Sequence, residues 1–157
     1  MVSTDVIDAL GHLLNIPGLS FNEDLLCLLS VNNDNVDVTI ETNESGDLLY
    51  VCAHLGTMPD DDNAAAAIAL LFAQANAVLT AMNKGVLVLD YNGQGLMLVK
   101  LYEMKHWELE DCLESILQLF NDAGEWKNRL YLPDFGLGGM DFDLDTSSSG
   151  SDQFMRV

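Results

Sequence analysis

Three consecutive aspartates, Asp60, Asp61 and Asp62, form the densest group of ligand-capable side chains in the sequence. Clustered carboxylates suit Mg2+ or Ca2+, which prefer oxygen ligands. These three, however, directly precede Asn63 and nineteen uncharged residues, 64–82. A helix starting there has unpaired N–H groups and a macrodipole that favour negative charge. A cap therefore accounts for them without a metal. Residues 140–145 with Asp152 do not match a calcium loop. His12, His54 and His106 are isolated in the chain and read as structural. No HExxH, GxSxG, P-loop or GxGxxG pattern occurs. Gly93, Gln94 and Gly95 follow a strand pattern, but no helix pattern opens after them, so they make a hairpin turn and not a phosphate cradle. Cys27, Cys52 and Cys112 are odd in number, widely spaced and set among apolar residues. They predict neither a disulfide framework nor a zinc site, only small buried hydrophobes. The expectation is a non-enzymatic protein without metal or cofactor.

Charge narrows the partners. The 157 residues carry a net charge of −19, and twelve Asp and Glu precede the first basic residue, Lys84. Phosphate backbones and anionic membrane surfaces are repelled by such a chain, so neither nucleic acid nor membrane insertion is expected. The field suits either plain solubility or attraction of a basic partner. With 49% hydrophobic residues, the chain can build its own core. The acidic start, MVSTDVIDAL, is unlike a secretory signal peptide. Residues 64–82 approach membrane-spanning length, but they are rich in Ala and contain Gln74, Asn76 and Thr80.

The elements that hold these residues follow from periodicity. Residues 4–15 predict a first helix, capped by Thr4, with Val6, Leu10, Leu13 and Leu14 on one face and a stop at Pro17 and Gly18. Residues 25–31 are a continuous apolar run, 36–41 alternate cleanly, and 48–55 are apolar on both faces. With turns at 32–35 and 43–47, they predict a three-stranded antiparallel meander. A long helix over 62–82 comes next, with Gly85 suited to a left-handed cap. Strands over 86–91 and 96–103 flank an Asn92–Gly93 turn, a strong hairpin signal. A last helix over 107–121 carries Leu109, Leu113, Ile116, Leu117 and Phe120 on its inner stripe, and it ends near Gly124 unless Trp126, Lys127 and Arg129 extend it. The fold class is α+β, a twisted antiparallel sheet packed on helices. The domain runs over residues 1–132, and 133–157 form an acidic tail. That tail reads as mobile, and Phe135, Leu137, Met140, Phe142 and Leu144, interleaved with its acids, suit docking on the body or on a partner as the alternative.

The long helix is apolar all round, and such a helix is buried on all sides. One sheet covers one side only, so a second copy of the helix is the expected cover for the other. Ile68, Leu71, Phe72, Ala75 and Leu79 are the expected dimer contacts.

The order helix, three strands, apolar helix, two strands, helix resembles the class I type III secretion chaperones, the Tir-chaperone-like family. The resemblance covers about residues 18–130. It rests on 48–56 leading into the helix, on Leu70–Leu71–Phe72–Ala73–Gln74–Ala75–Asn76, on 86–90 with 96–101, and on Trp126. It implies a cytoplasmic bacterial homodimer that binds an extended N-terminal segment of a secreted effector without ATP. The effector is kept soluble until the secretion ATPase takes it over. It also implies a second reading on the same fold, a regulator that sequesters a transcriptional control protein. The expected effector-binding residues are Val6, Leu10, Leu13 and Leu14 of the first helix with Val38 and Ile40 of the alternating strand.

Overall fold

A computed structural model describes residues 1–31 and 36–131 of the chain. Helix α1 spans Ser3–Leu13, and strands β1 (Leu26–Val31), β2 (Val36–Thr42) and β3 (Leu48–Thr57) follow it. Helix α2 spans Asp62–Ala81, strands β4 (Val86–Leu89) and β5 (Gly95–Glu103) form the hairpin, and α3 spans Leu109–Leu130. The five strands make one antiparallel sheet in the order β1-β2-β3-β5-β4. The α+β class and the meander-plus-hairpin order are those the sequence predicts. The predicted tail lies outside the described residues.

The sheet is covered on one face. Val38, Ile40, Leu49, Val51, Ala53, Leu98 and Tyr102 point to the same side by their register and join one core with the helices. Val6, Ile7 and Leu10 of α1, Ile68, Leu71 and Phe72 of α2, and Ile116, Leu119 and Phe120 of α3 fill that core. Between β4 and β5, Gly93 takes a positive φ of 70° and its N–H donates to Asp90 O at 2.9 Å. Gly85 links α2 to β4 at φ 91°, and a Cβ there would stand 2.6 Å from the carbonyl oxygen of Val99. Only glycine tolerates both demands.

Most boundaries shift by a residue or two, and two of the differences have a clear physical cause. Helix α1 begins one residue early, with Val2 at the cap, and the Asp5 carboxylate accepts the Val2 N–H at 2.9 Å. Helix α3 runs on to Leu130, straight through Gly124. A mid-helix glycine costs about 1 kcal/mol relative to alanine. Here it is outweighed, because Ala123, Gly124 and Trp126 are all buried against the core. Lys127 and Arg129 then sit in the last turn, where the helix dipole favours cations.

Candidate interaction surfaces

The chemistry-capable residues take up structural duties. Asp61 is the cap of α2, its carboxylate accepting the Ala64 N–H at 2.8 Å, while Asp60 and Asp62 stay exposed. No group of three or more metal-ligating side chains occurs among the described residues. His54 pairs with the Thr39 hydroxyl at 3.0 Å across adjacent strands, and His106 lies 3.5 Å from Glu103. All three thiols are buried. Burial pushes Cys52 and Cys112 up to about 11, far from a reactive thiolate.

One polar cluster had no sequence signal. Lys100 is buried on the helix-covered face, where its ammonium donates to Asn83 O and to Ser115 Oγ. It also lies 5.1 Å from the Tyr102 ring and 5.2 Å from the Trp107 ring. Burial lowers its pKa. In sequence it occupies an inward position of an alternating strand, where a cation is unexpected. The adjoining cleft holds Lys84, Asp111, Glu114 and Asp122, and the Lys84–Asp122 pair at 3.7 Å neutralises part of it. Opposite charges answer one another within the cleft, where the Lys100 ammonium is held on Ser115 Oγ.

The expected dimer contacts require correction. Ile68, Leu71, Phe72, Ala75 and Leu79 are the five buried residues of α2, each packed within the single chain. They face the protein's own core and leave nothing for a second copy. The face left over carries Ala66, Ala69, Leu70, Ala73, Ala77 and Ala81, all exposed, with Leu70 at 60%. The helix is long and apolar enough to cross a membrane by length and composition. Its core-facing stripe and the binding of Asn76 to β4 make it instead a half-covered helix of this fold.

Most of the expected effector-binding residues also prove to be core. Val6, Leu10, Val38 and Ile40 are essentially without solvent contact. The first helix therefore packs inward, and the alternating strand turns Asp37, Thr39 and Glu41 to the outside. Of that set only Leu13, exposed, and Leu14, half-buried, can be touched by a partner.

What the sequence reading missed is the outer face of the sheet. By register, Leu28, Tyr50, Met97, Val99 and Leu101 share the side opposite the core. Leu28 is 68% exposed and Leu101 53% exposed. The signal was present in 48–55, which is apolar on both faces. It implied two covers, and the described residues supply one.

The two edges of the sheet are closed to different extents. At β4, the Asn76 side chain accepts the Leu87 N–H at 2.7 Å and donates to its carbonyl at 2.9 Å. At β1, Asn22 does the same for Leu26, through its side-chain oxygen at 2.9 Å and its own N–H at 2.8 Å. Thr42 N–H reaches Leu25 O, so Leu25 faces β2 and Leu26 faces away. Backbone alternation then turns the N–H and C=O of Leu28 and Ser30 outward. On β4 the same alternation leaves only Leu89 beyond Asn76.

A family model, the Tir chaperone protein (CesT) family, matches residues 5–126. Among solved structures, the chain is similar to the ExsC–ExsE complex, with 17% identity and a TM-score of 0.65 over 83% of this chain and 97% of that one. It is similar to the HopA1–SchA chaperone–effector complex, with 17% identity and a TM-score of 0.59 over 79% of this chain and 91% of that one. The Yersinia pestis type III secretion chaperone SycH, in complex with a stable fragment of YscM2, matches at 9% identity with a TM-score of 0.50, over 79% of this chain and 98% of that one. No curated protein sequence matches the chain. At these identities the structural likenesses establish the fold.

Proposed function

This chain belongs to the Tir chaperone protein (CesT) family of type III secretion chaperones, and from that premise we propose that it works as a homodimeric, ATP-independent effector chaperone in the bacterial cytoplasm. It binds an extended segment of a secreted protein and keeps that protein soluble for export. The observation that carries this reading is apolar surface left open on an acidic body. Among the described residues, the outward stripe of α2 and Leu28, Tyr50 and Leu101 on the outer face of the sheet are exposed.

The two surfaces have separate roles. Two copies meet through the outward face of α2, where alanines permit close approach and Leu70 supplies the central contact. An extended segment of the partner lies along the outer sheet face near Leu28 and reaches Leu13 and Leu14 of α1. Backbone pairing at an open edge and pockets for alternate side chains give affinity with little demand on sequence. A net charge of −19 speeds encounter with a basic segment.

Co-expression with the product of a neighbouring gene tests the reading. The expected result is a soluble complex of two copies of this chain with one partner, formed without ATP. If no neighbouring product is solubilised, stabilised or secreted in its presence, the reading fails.

A further inference from the structure

The charges beside α2 are sorted by end. Asp60, Asp61 and Asp62 stand at its start, no charged residue occurs over 63–83, and Lys84 follows its end. Asp61 caps the helix. The side chains of Asp60 and Asp62 are exposed and have no hydrogen-bond or ion-pair partner among the described residues.

The opposite end is cationic. Lys84 Nζ lies 3.7 Å from the Asp122 carboxylate, and the Lys84 side chain stays 37% exposed. The Lys100 ammonium donates to Asn83 O at this same end. Lys100 is only 8% exposed, yet no ion pair among the described residues includes it. A buried ammonium without a carboxylate leaves its field uncompensated. The acids of the adjoining cleft belong to α3, and the buried one, Asp122, is already held by Gln118 and Lys84.

Between the two ends runs the exposed face of Ala66, Leu70, Ala73, Ala77 and Ala81. Its spacing reads alike in both directions. Reversal about the helix midpoint, between Leu71 and Phe72, exchanges Asp62 with Ala81, Ala66 with Ala77 and Leu70 with Ala73. A two-fold axis through that midpoint sets each leucine on an alanine, the self-complementarity that an isologous contact requires.

We propose, resting on the α2-to-α2 contact given above, that the two helices run antiparallel and that Asp60 and Asp62 of each copy complete the cationic end of the other by pairing with Lys84. The register brings Asp60–Asp62 of one copy level with Ala81–Asn83 of the second, beside Lys84. Both copies carry a net charge of −19, and this orientation sets opposite charges together where they touch. Parallel pairing instead stacks the two acidic triplets and the like ends of both helix dipoles.

Disulfide cross-linking of the full-length protein tests the orientation. In the antiparallel pair Ala66 faces Ala77 of the second copy, while the two Ala66 residues stand about 16 Å apart along the axis. A disulfide needs Cα atoms within about 7 Å. The native thiols are all buried. Under a mild oxidant, Ala66→Cys mixed with Ala77→Cys is expected to cross-link, and neither variant cross-links alone. Charge reversal tests the ion pairs. Lys84→Glu, and separately Asp60→Lys with Asp62→Lys, are expected to raise the dimer dissociation constant about tenfold. A chain carrying all three substitutions is expected to return to within about threefold of the unaltered one. Absence of the mixed cross-link, or self-linking of Ala66→Cys, overturns the orientation. A combined chain that dissociates as readily as Lys84→Glu overturns the ion pairs. Leu70→Glu tells these failures apart from failure of the α2 contact: the variant is monomeric in the former and dimeric in the latter.

Discussion

At the residue scale, neighbouring leucines have opposite surroundings. Leu71 is 1% exposed and Leu70 is 60% exposed. A carboxylate at Leu71 is buried without a partner and costs more than about 3 kcal/mol. Leu71→Glu is therefore expected to be insoluble or unfolded. Leu70→Glu keeps the circular dichroism spectrum and melting temperature of a folded chain but elutes as a monomer in light-scattering chromatography. If Leu70→Glu stays dimeric, the contact lies elsewhere.

Titratable groups act locally as well. The N–H groups of Gln94 and Gly95 hold the Asp90 carboxyl below its ordinary value of 3.8. A depressed carboxyl favours the folded state when ionised. Its contribution is present above about pH 4 and disappears as pH falls through the depressed value. Asp90→Ala is expected to lower the urea midpoint at about pH 7 and to match the unaltered chain at about pH 2. A difference that stays constant across that range contradicts the assignment.

At the element scale, the legible and illegible parts separate by cause. All eight α-helices and strands of the described residues were visible, because strand and helix periods are local properties. The end of α3 stayed open between Gly124 and an extension through Trp126, Lys127 and Arg129, since the burial of Trp126 that overrides Gly124 is a tertiary effect. In α2, the stripe Ile68, Leu71, Phe72, Ala75 and Leu79 was correctly seen as one face, but its direction was not. With alanine opposite, periodicity cannot say which face meets the sheet. The larger side chains fill the core because burying them removes more apolar area from water. The same reasoning, applied to Val6, Leu10, Val38 and Ile40, places them inside and excludes them from a groove. Lys100 was illegible for another reason. Its ammonium is satisfied by Asn83 O and Ser115 Oγ, contacts distant in sequence.

The edge caps are elements of the same logic. Asn76 makes two hydrogen bonds to Leu87 of β4. Asn76→Ala leaves those partly buried backbone groups unpaired, at about 1–3 kcal/mol. The variant is expected to melt earlier and to aggregate on heating more readily than Asn22→Ala, whose contacts are exposed. Equal behaviour of the two variants contradicts the weight given to the β4 cap.

At the scale of the whole molecule, charge dominates. Twenty-five acidic residues face six basic ones. Self-repulsion of that size opposes the compact state and is screened by salt, over a Debye length of about 10 Å at 0.1 M. Raising NaCl from about 0.02 M to 0.5 M is expected to raise the melting temperature and to slow association with a basic partner segment. The two trends oppose one another only if charge acts within the chain and between partners alike.

The central claim is that this chain is a dimer that holds one extended partner. Light-scattering mass of the complex formed with a neighbouring secreted protein, purified without nucleotide, tests it most directly. The account predicts a mass equal to two copies of this chain plus one partner, lost in Leu70→Glu. A stable complex of one copy with one partner, unchanged by Leu70→Glu, contradicts it.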